Sequence, residues 1–112
     1  MAKVIITASL KKEIFRRFKA KSERIFLQMK SLEKEPRKGK ALCHIAELVI
    51  KELKYEKFRF YFITDGRMLK FGTEDELAAL FIKFVRMSEK KDQQKIIEEI
   101  KNALKSMGFD AI

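Results

Sequence analysis

The sequence predicts an α+β fold: an N-terminal strand, a helical hairpin, a mostly antiparallel sheet and a C-terminal helix. Three observations carry that reading. Residues 57–66, KFRFYFITDG, are dominated by aromatic and β-branched side chains and close on an Asp-Gly turn signal, as a strand entering a hairpin does. Upstream of Pro36 and downstream of Ser88, apolar residues instead recur at helical spacing. The strand-like segments follow one another between these helical regions, which favours antiparallel neighbours over βαβ units. At 112 residues and 46% hydrophobic content, the chain reads as a single domain, 1–112, with a real but modest core.

Val4, Ile5 and Ile6 form a short opening strand that ends at Thr7. Ser9 is the expected N-cap of the first helix, with Leu10, Ile14 and Phe18 on its inner stripe and Arg16, Arg17 and Lys19 facing out. A second helix starts near Ser22, holds Glu23 in its first turn and repeats Ile25, Phe26, Met29 and Leu32. It stops before Pro36, the only proline, and Arg37-Lys38-Gly39-Lys40 follows as a basic turn. Residues 41–53 fit a strand or a helix by periodicity alone; the pair Val49-Ile50 and the strand at 58–64 favour one strand, with a hairpin through 54–57. Residues 68–71 make a third sheet segment across the Asp65-Gly66 turn. Thr73-Glu74-Asp75-Glu76 is a capping-box sequence that inserts a short helical turn before a strand at 80–87. Ser88 caps the last helix, whose inner stripe is Ile96, Ile97, Ile100, Ala103, Leu104 and Met107 and whose stop is Gly108.

Side chains alternate along a strand, so Phe58, Phe60 and Phe62 share the face beneath the helical hairpin, and Arg59, Tyr61 and Ile63 share the other. A guanidinium is rarely buried without a partner. The Arg59 face therefore borders water, meets a carboxylate such as Glu47 or Glu52, or is held for an anionic ligand.

The net charge is +10, and residues 1–70 hold 19 Lys/Arg against 8 Asp/Glu while residues 71–112 hold 7 against 8. Such a field suits a polyanion, either nucleic acid or an acidic protein segment; the alternative is a solvated lysine-rich surface. The single cysteine excludes an internal disulfide and points to a reducing compartment. The only early apolar run, 4–6, is too short for a signal peptide or a membrane span, so a cytoplasmic location is expected. There is no phosphate-binding glycine loop, no cysteine pair, no HExxH and no nucleophile elbow. Cys43 and His44 are strand neighbours pointing to opposite faces and read as structural residues.

Three local patterns, taken in order, resemble the RelE/ParE toxin superfamily, including its HigB-like branch. Residues 35–42, EPRKGKAL, are similar to the family's proline-glycine turn after the helical hairpin. Residues 52–62, ELKYEKFRFYF, are similar to its ELR and YR hairpin, and 84–91, FVRMSEKK, to its strand end of F-x-K-K followed by Ser or Thr. The likeness spans residues 3–105. It implies a RelE-like fold and the toxin of a type II toxin–antitoxin pair, acting as a ribosome-dependent messenger-RNA endoribonuclease that inhibits translation. By position, Lys54 stands at the basic residue of ELR, Arg59 at the arginine of YR and Arg86 at the first basic residue of the strand end. With Tyr61 beside Arg59, these are the implied catalytic residues. Arg37, Lys38, Lys40, Lys57 and Arg67 are the implied RNA-binding residues. The implied partners are a cognate acidic antitoxin, the ribosome and messenger RNA, with no membrane, metal or cofactor. Met87 stands where the family has a second basic residue, and 73–76 is an insertion relative to its pattern. Two alternatives stay open: a non-catalytic member of the same fold that binds nucleic acid or protein, and a gyrase-poisoning ParE-like toxin.

Cleaving RNA through its own 2′-hydroxyl requires in-line geometry, stabilisation of charge on the phosphate and proton transfer at two oxygens. Lys54, Arg59 and Arg86 supply the charge term. Glu52, Lys54 or Tyr61 serves the proton transfer, while Tyr61 alternatively stacks on a base or simply packs the sheet. Neither arginine is expected to be a core packing residue.

Overall fold

The computed structural model describes residues 1–110 and 112. Strand β1 (Lys3–Ile6) leads into helix α1 (Ala8–Phe18), a single turn at 19–21 and helix α2 (Ser22–Lys30). The cap of α1 is Thr7 and not Ser9: its backbone is extended, its Oγ1 accepts the Leu10 N–H at 3.4 Å, and its own N–H donates to the Phe84 carbonyl at 3.1 Å. The end of β1 is thus pinned to the sheet, and the helix begins immediately after it.

The expected single strand at 41–53 is two strands. β2 (Lys40–Ile45) and β3 (Leu48–Tyr55) pair antiparallel around Ala46-Glu47, and β3 continues around Glu56-Lys57 into β4 (Phe58–Asp65). Both turns have positive φ at their first residue, 52° for Ala46 and 54° for Glu56. Glycine or asparagine ordinarily marks that position, so neither turn carried its usual signal.

A second correction follows β4. Asp65-Gly66 is not a hairpin turn and 68–71 is not a strand. Asp65 caps helix α3 (Gly66–Phe71) by accepting the Met68 N–H at 2.9 Å. β4 already has β3 on one side and the next strand on the other, which leaves no edge for a third segment. The capping box at Thr73 and Glu76 forms as expected and starts helix α4 (Glu74–Leu77).

Strand β5 (Phe81–Glu89) then runs two residues past the expected end, so Ser88 lies in the sheet opposite Arg59 and does not cap a helix. A turn at 90–92 precedes helix α5 (Gln93–Met107), which stops at Gly108 with φ 81°. The five strands form one sheet in the order β1-β5-β4-β3-β2, parallel only between β1 and β5.

The two faces of the sheet are covered by different helices. Phe58, Phe60, Phe62 and Phe84 pack with Leu10, Ile14, Ile25 and Met29 of the helical hairpin, as alternation required. Tyr61, Ile63, Ile50 and Val85 pack against Ile96, Ile97, Ile100 and Leu104 of α5. Each buried side chain of this size contributes about 1.5–3 kcal/mol, so both helical layers hold the sheet. Gly39, at φ 100°, crosses the Phe62 ring so closely that a Cβ would sit 2.8 Å from Cζ. Lys51 is buried beside it. Its Nζ donates to the Arg37 and Lys38 carbonyls at 3.1 and 3.0 Å, fastening the 36–39 loop to the sheet.

Candidate functional site

Strand register brings the four implied catalytic residues together. Lys54, Arg59 and Ser88 form one row across β3, β4 and β5; Glu52, Tyr61 and Arg86 form the next row on the same face of the sheet. A bulge in the β4–β5 pairing leaves Val85 without an opposite residue. Val85 can therefore join the apolar cluster beneath α5 while Arg86, one residue on, still reaches Glu99 of that helix.

Of the three environments open to Arg59, the carboxylate is the one found. Its Nε lies 3.0 Å from Glu52 Oε2, with the two side chains 10% and 6% exposed. Glu52 sits diagonally across the hairpin, within reach of a long side chain. The guanidinium also donates to the Phe58 carbonyl at 3.2 Å, and Gln93 at the start of α5 donates to Glu52 at 3.2 Å. Arg59 is therefore a buried member of a satisfied network, contrary to the expectation that it lies outside the packing.

Tyr61 is fully buried, and its hydroxyl lies 2.8 Å from Ser88 Oγ. Ser88 has one hydroxyl hydrogen and gives it to the Glu89 carbonyl at 2.8 Å, so Tyr61 is the donor in this pair. With α5 over its ring, Tyr61 offers no stacking surface in this conformation. Arg86 meets Glu99 at 2.9 Å in a half-exposed pair. Lys54 is exposed and has no ion pair among the described residues.

The five implied RNA-binding residues do not form one patch. Lys57 and Arg67 flank opposite ends of β4, where Lys57 lies 3.5 Å from Glu89 and Arg67 3.8 Å from Glu47. Arg37 donates to the Leu69 and Gly72 carbonyls at 2.8 and 3.4 Å and so holds the end of α3. Lys38 and Lys40 are exposed around Gly39. Beside the strand patch, a cleft of about 300 Å³ opens between α1 and the start of α5, where Arg17, Lys95, Ser88, Glu13 and Asp92 mix both charges.

Sequence reasoning missed Gln93, Lys51 and the role of Ser88, and it missed Glu99 as the partner of Arg86. Glu99 was findable: it stands three residues from Ile96 and one from Ile100, at the margin of the inner stripe of α5. Burial lowers the pKa of Lys51. Burial also raises that of Cys43, against a smaller pull from Lys101. Among the described residues, no group of three or more His, Cys, Asp or Glu is placed to hold a metal ion, and no helix is long and apolar enough to cross a membrane. Comparisons with family models, curated proteins and solved structures find no match.

Proposed function

We propose that the protein is a RelE-like toxin of a type II toxin–antitoxin pair, a ribosome-dependent messenger-RNA endoribonuclease that works in the cytoplasm. The observation that carries the reading is the convergence of Lys54, Arg59, Tyr61 and Arg86, separated by up to 32 residues of sequence, onto two successive rows on one face of three neighbouring strands. Lys54 and Arg86 expose their charged ends and are the groups that would meet the scissile phosphate. Arg59 fixes Glu52 behind them. A carboxylate on Arg86 occupies the fork that a phosphate oxygen pair fits, so substrate exchanges with Glu99. The 2′-hydroxyl gives up its proton and attacks phosphorus in line, the P–O5′ bond breaks and the leaving 5′ oxygen takes up a proton, so that a 2′,3′-cyclic phosphate and a free 5′-hydroxyl result; the cations hold the charge added on the way, each with a weight of about 10² to 10³ in rate.

Induced expression with mapping of RNA 5′ ends tests the proposal. Growth arrest with cuts in ribosome-bound messenger is the expected result. Arrest with intact messenger and broken DNA moves the protein to the gyrase-poisoning alternative.

A second reading has its own support. Arg59 is paired within a buried network and Arg86 is paired with α5, the arrangement of a non-catalytic module that binds RNA or protein through other surfaces. No arrest and no cleavage from a well-folded wild type puts that reading first.

A further inference from the structure

α1 and α2 each need one apolar stripe to cover the sheet, and Leu10, Ile14, Ile25 and Met29 supply it. Leu27, two residues from both Ile25 and Met29 on α2, points the opposite way and is 66% exposed. Phe15 of α1 is 53% exposed, and its ring meets that of half-buried Phe26 edge to face at 5.0 Å. These three side chains, with Ala20, Lys19 and Lys30, line an open groove of about 480 Å³ along the seam of the two helices. The outer side of the hairpin is thus apolar where a surface helix is ordinarily polar.

Cations surround that seam and come from both helices and from the turn that joins them. Residues 8–30 hold eight Lys/Arg against two Glu. Lys11, Lys12, Arg16, Lys19, Lys21 and Arg24 are exposed, and none has an ion pair among the described residues. A second copy of this chain would bring an equally cationic face against it, which opposes pairing. A stable protein interface needs an apolar core within a buried area of about 1,600 Å², and three large side chains supply little of that. RNA matches the cations, but Leu27, the most exposed of the three, is aliphatic and gives a base no stacking surface.

An anionic lipid surface uses both features of the face. Aromatic and aliphatic side chains enter the boundary between headgroups and acyl chains, while Lys and Arg lay their apolar stems beside them and hold their charged heads at the phosphates. We infer that the outer face of the α1–α2 hairpin docks the protein on a membrane surface rich in anionic phospholipid. The contact is peripheral and needs no spanning helix, and it adds a surface where the family resemblance implied no membrane partner.

The test is flotation of the full chain with phosphatidylcholine vesicles and with vesicles of equal parts phosphatidylcholine and phosphatidylglycerol, for wild type, Leu27→Ser, Phe15→Ser and Lys12→Glu. All three positions are exposed, and an unchanged circular dichroism spectrum verifies each fold. The expected result is binding to the mixed vesicles alone, weakened about tenfold or more by each substitution and by raising salt from about 50 to 200 mM. Equal binding to both vesicle types overturns the inference. So does binding that ignores Leu27→Ser and Phe15→Ser, since charge alone then explains it. A folded wild type that leaves the mixed vesicles unbound overturns it as well and returns the face to a protein partner. An RNA oligonucleotide whose affinity falls in Leu27→Ser, or a wild-type dimer in sedimentation that the same variant dissociates, gives the face to another occupant and overturns it too. Vesicle binding and RNA cleavage are read in separate assays, so either stands or falls without the other.

Discussion

Arg59 and Glu52 meet at 3.0 Å on neighbouring strands, both nearly sealed from water at the start of α5. The pair divides the labour among the cations of the patch. A buried arginine with a carboxylate on its Nε organises the sheet surface, whereas half-exposed Arg86 and exposed Lys54 face outward.

Removing one member of that pair should unfold the chain more readily. Arg59→Met leaves the Glu52 carboxylate buried with only Gln93 as donor, and the expected loss is about 3–5 kcal/mol. Replacing both, as Glu52→Gln with Arg59→Met, should recover most of it. Urea unfolding of the two single variants and the double variant gives the coupling; a strictly additive cycle would contradict the buried network.

Arg86 separates stability from chemistry. Its bridge to Glu99 is half-exposed, so Arg86→Ala should cost no more than about 1 kcal/mol in unfolding. On the nuclease reading the same change lowers cleavage by about 10² to 10³, and Arg86→Lys restores part of it because an ammonium lacks the planar fork. Glu99→Gln, which releases the guanidinium, should raise cleavage or leave it intact. Cleavage by Arg86→Ala at the wild-type rate would exclude Arg86 from the reaction.

Lys51 gives a pH signature. Burial lowers its pKa in the folded chain, so between that lowered value and the ordinary lysine value of about 10.4 the unfolded chain binds more protons. Stability contributed by Lys51 therefore rises with pH through this window, and below the window the buried ammonium carries its full penalty. The unfolding free energy of wild type minus that of Lys51→Met should climb as the pH rises toward the ordinary lysine value of about 10.4. A flat or falling difference would show that the amine is solvated.

The facial pattern of 58–63 was legible because strand alternation leaves little freedom once one face is apolar, and the stripe of α5 from Ile96 to Leu104 and its stop were legible from helical spacing, although Met107, expected on that stripe, is exposed. The β2–β3 turn was not, since Ala46 adopts positive φ without the glycine or asparagine that ordinarily announces it, whereas the β3–β4 hairpin at 54–57 was expected from its flanking strands. Asp65-Gly66 misled for the opposite reason: Asp caps helices as readily as it opens turns, and only the occupied edges of β4 decide between the two. The cations of the patch were visible in the sequence, and Glu52 was one of the two carboxylates expected for Arg59; choosing it over Glu47 depended on strand register, and pairing Arg86 with Glu99 on where α5 lands.

Tyr61→Phe is the narrowest test of the patch. Loss of the hydroxyl removes the donor to Ser88, yet Ser88 keeps the Glu89 carbonyl and no buried group is orphaned, so unfolding should change by about 0.5–1.5 kcal/mol. If the Tyr61–Ser88 contact only packs the sheet, RNA cleavage follows that small change. If Tyr61 moves a proton during the reaction, cleavage falls by about 10²-fold or more while stability holds. The same buried hydroxyl should also exchange its proton slowly in the folded chain, as measured by nuclear magnetic resonance. Fast exchange would show that α5 opens often enough to expose the patch to a substrate.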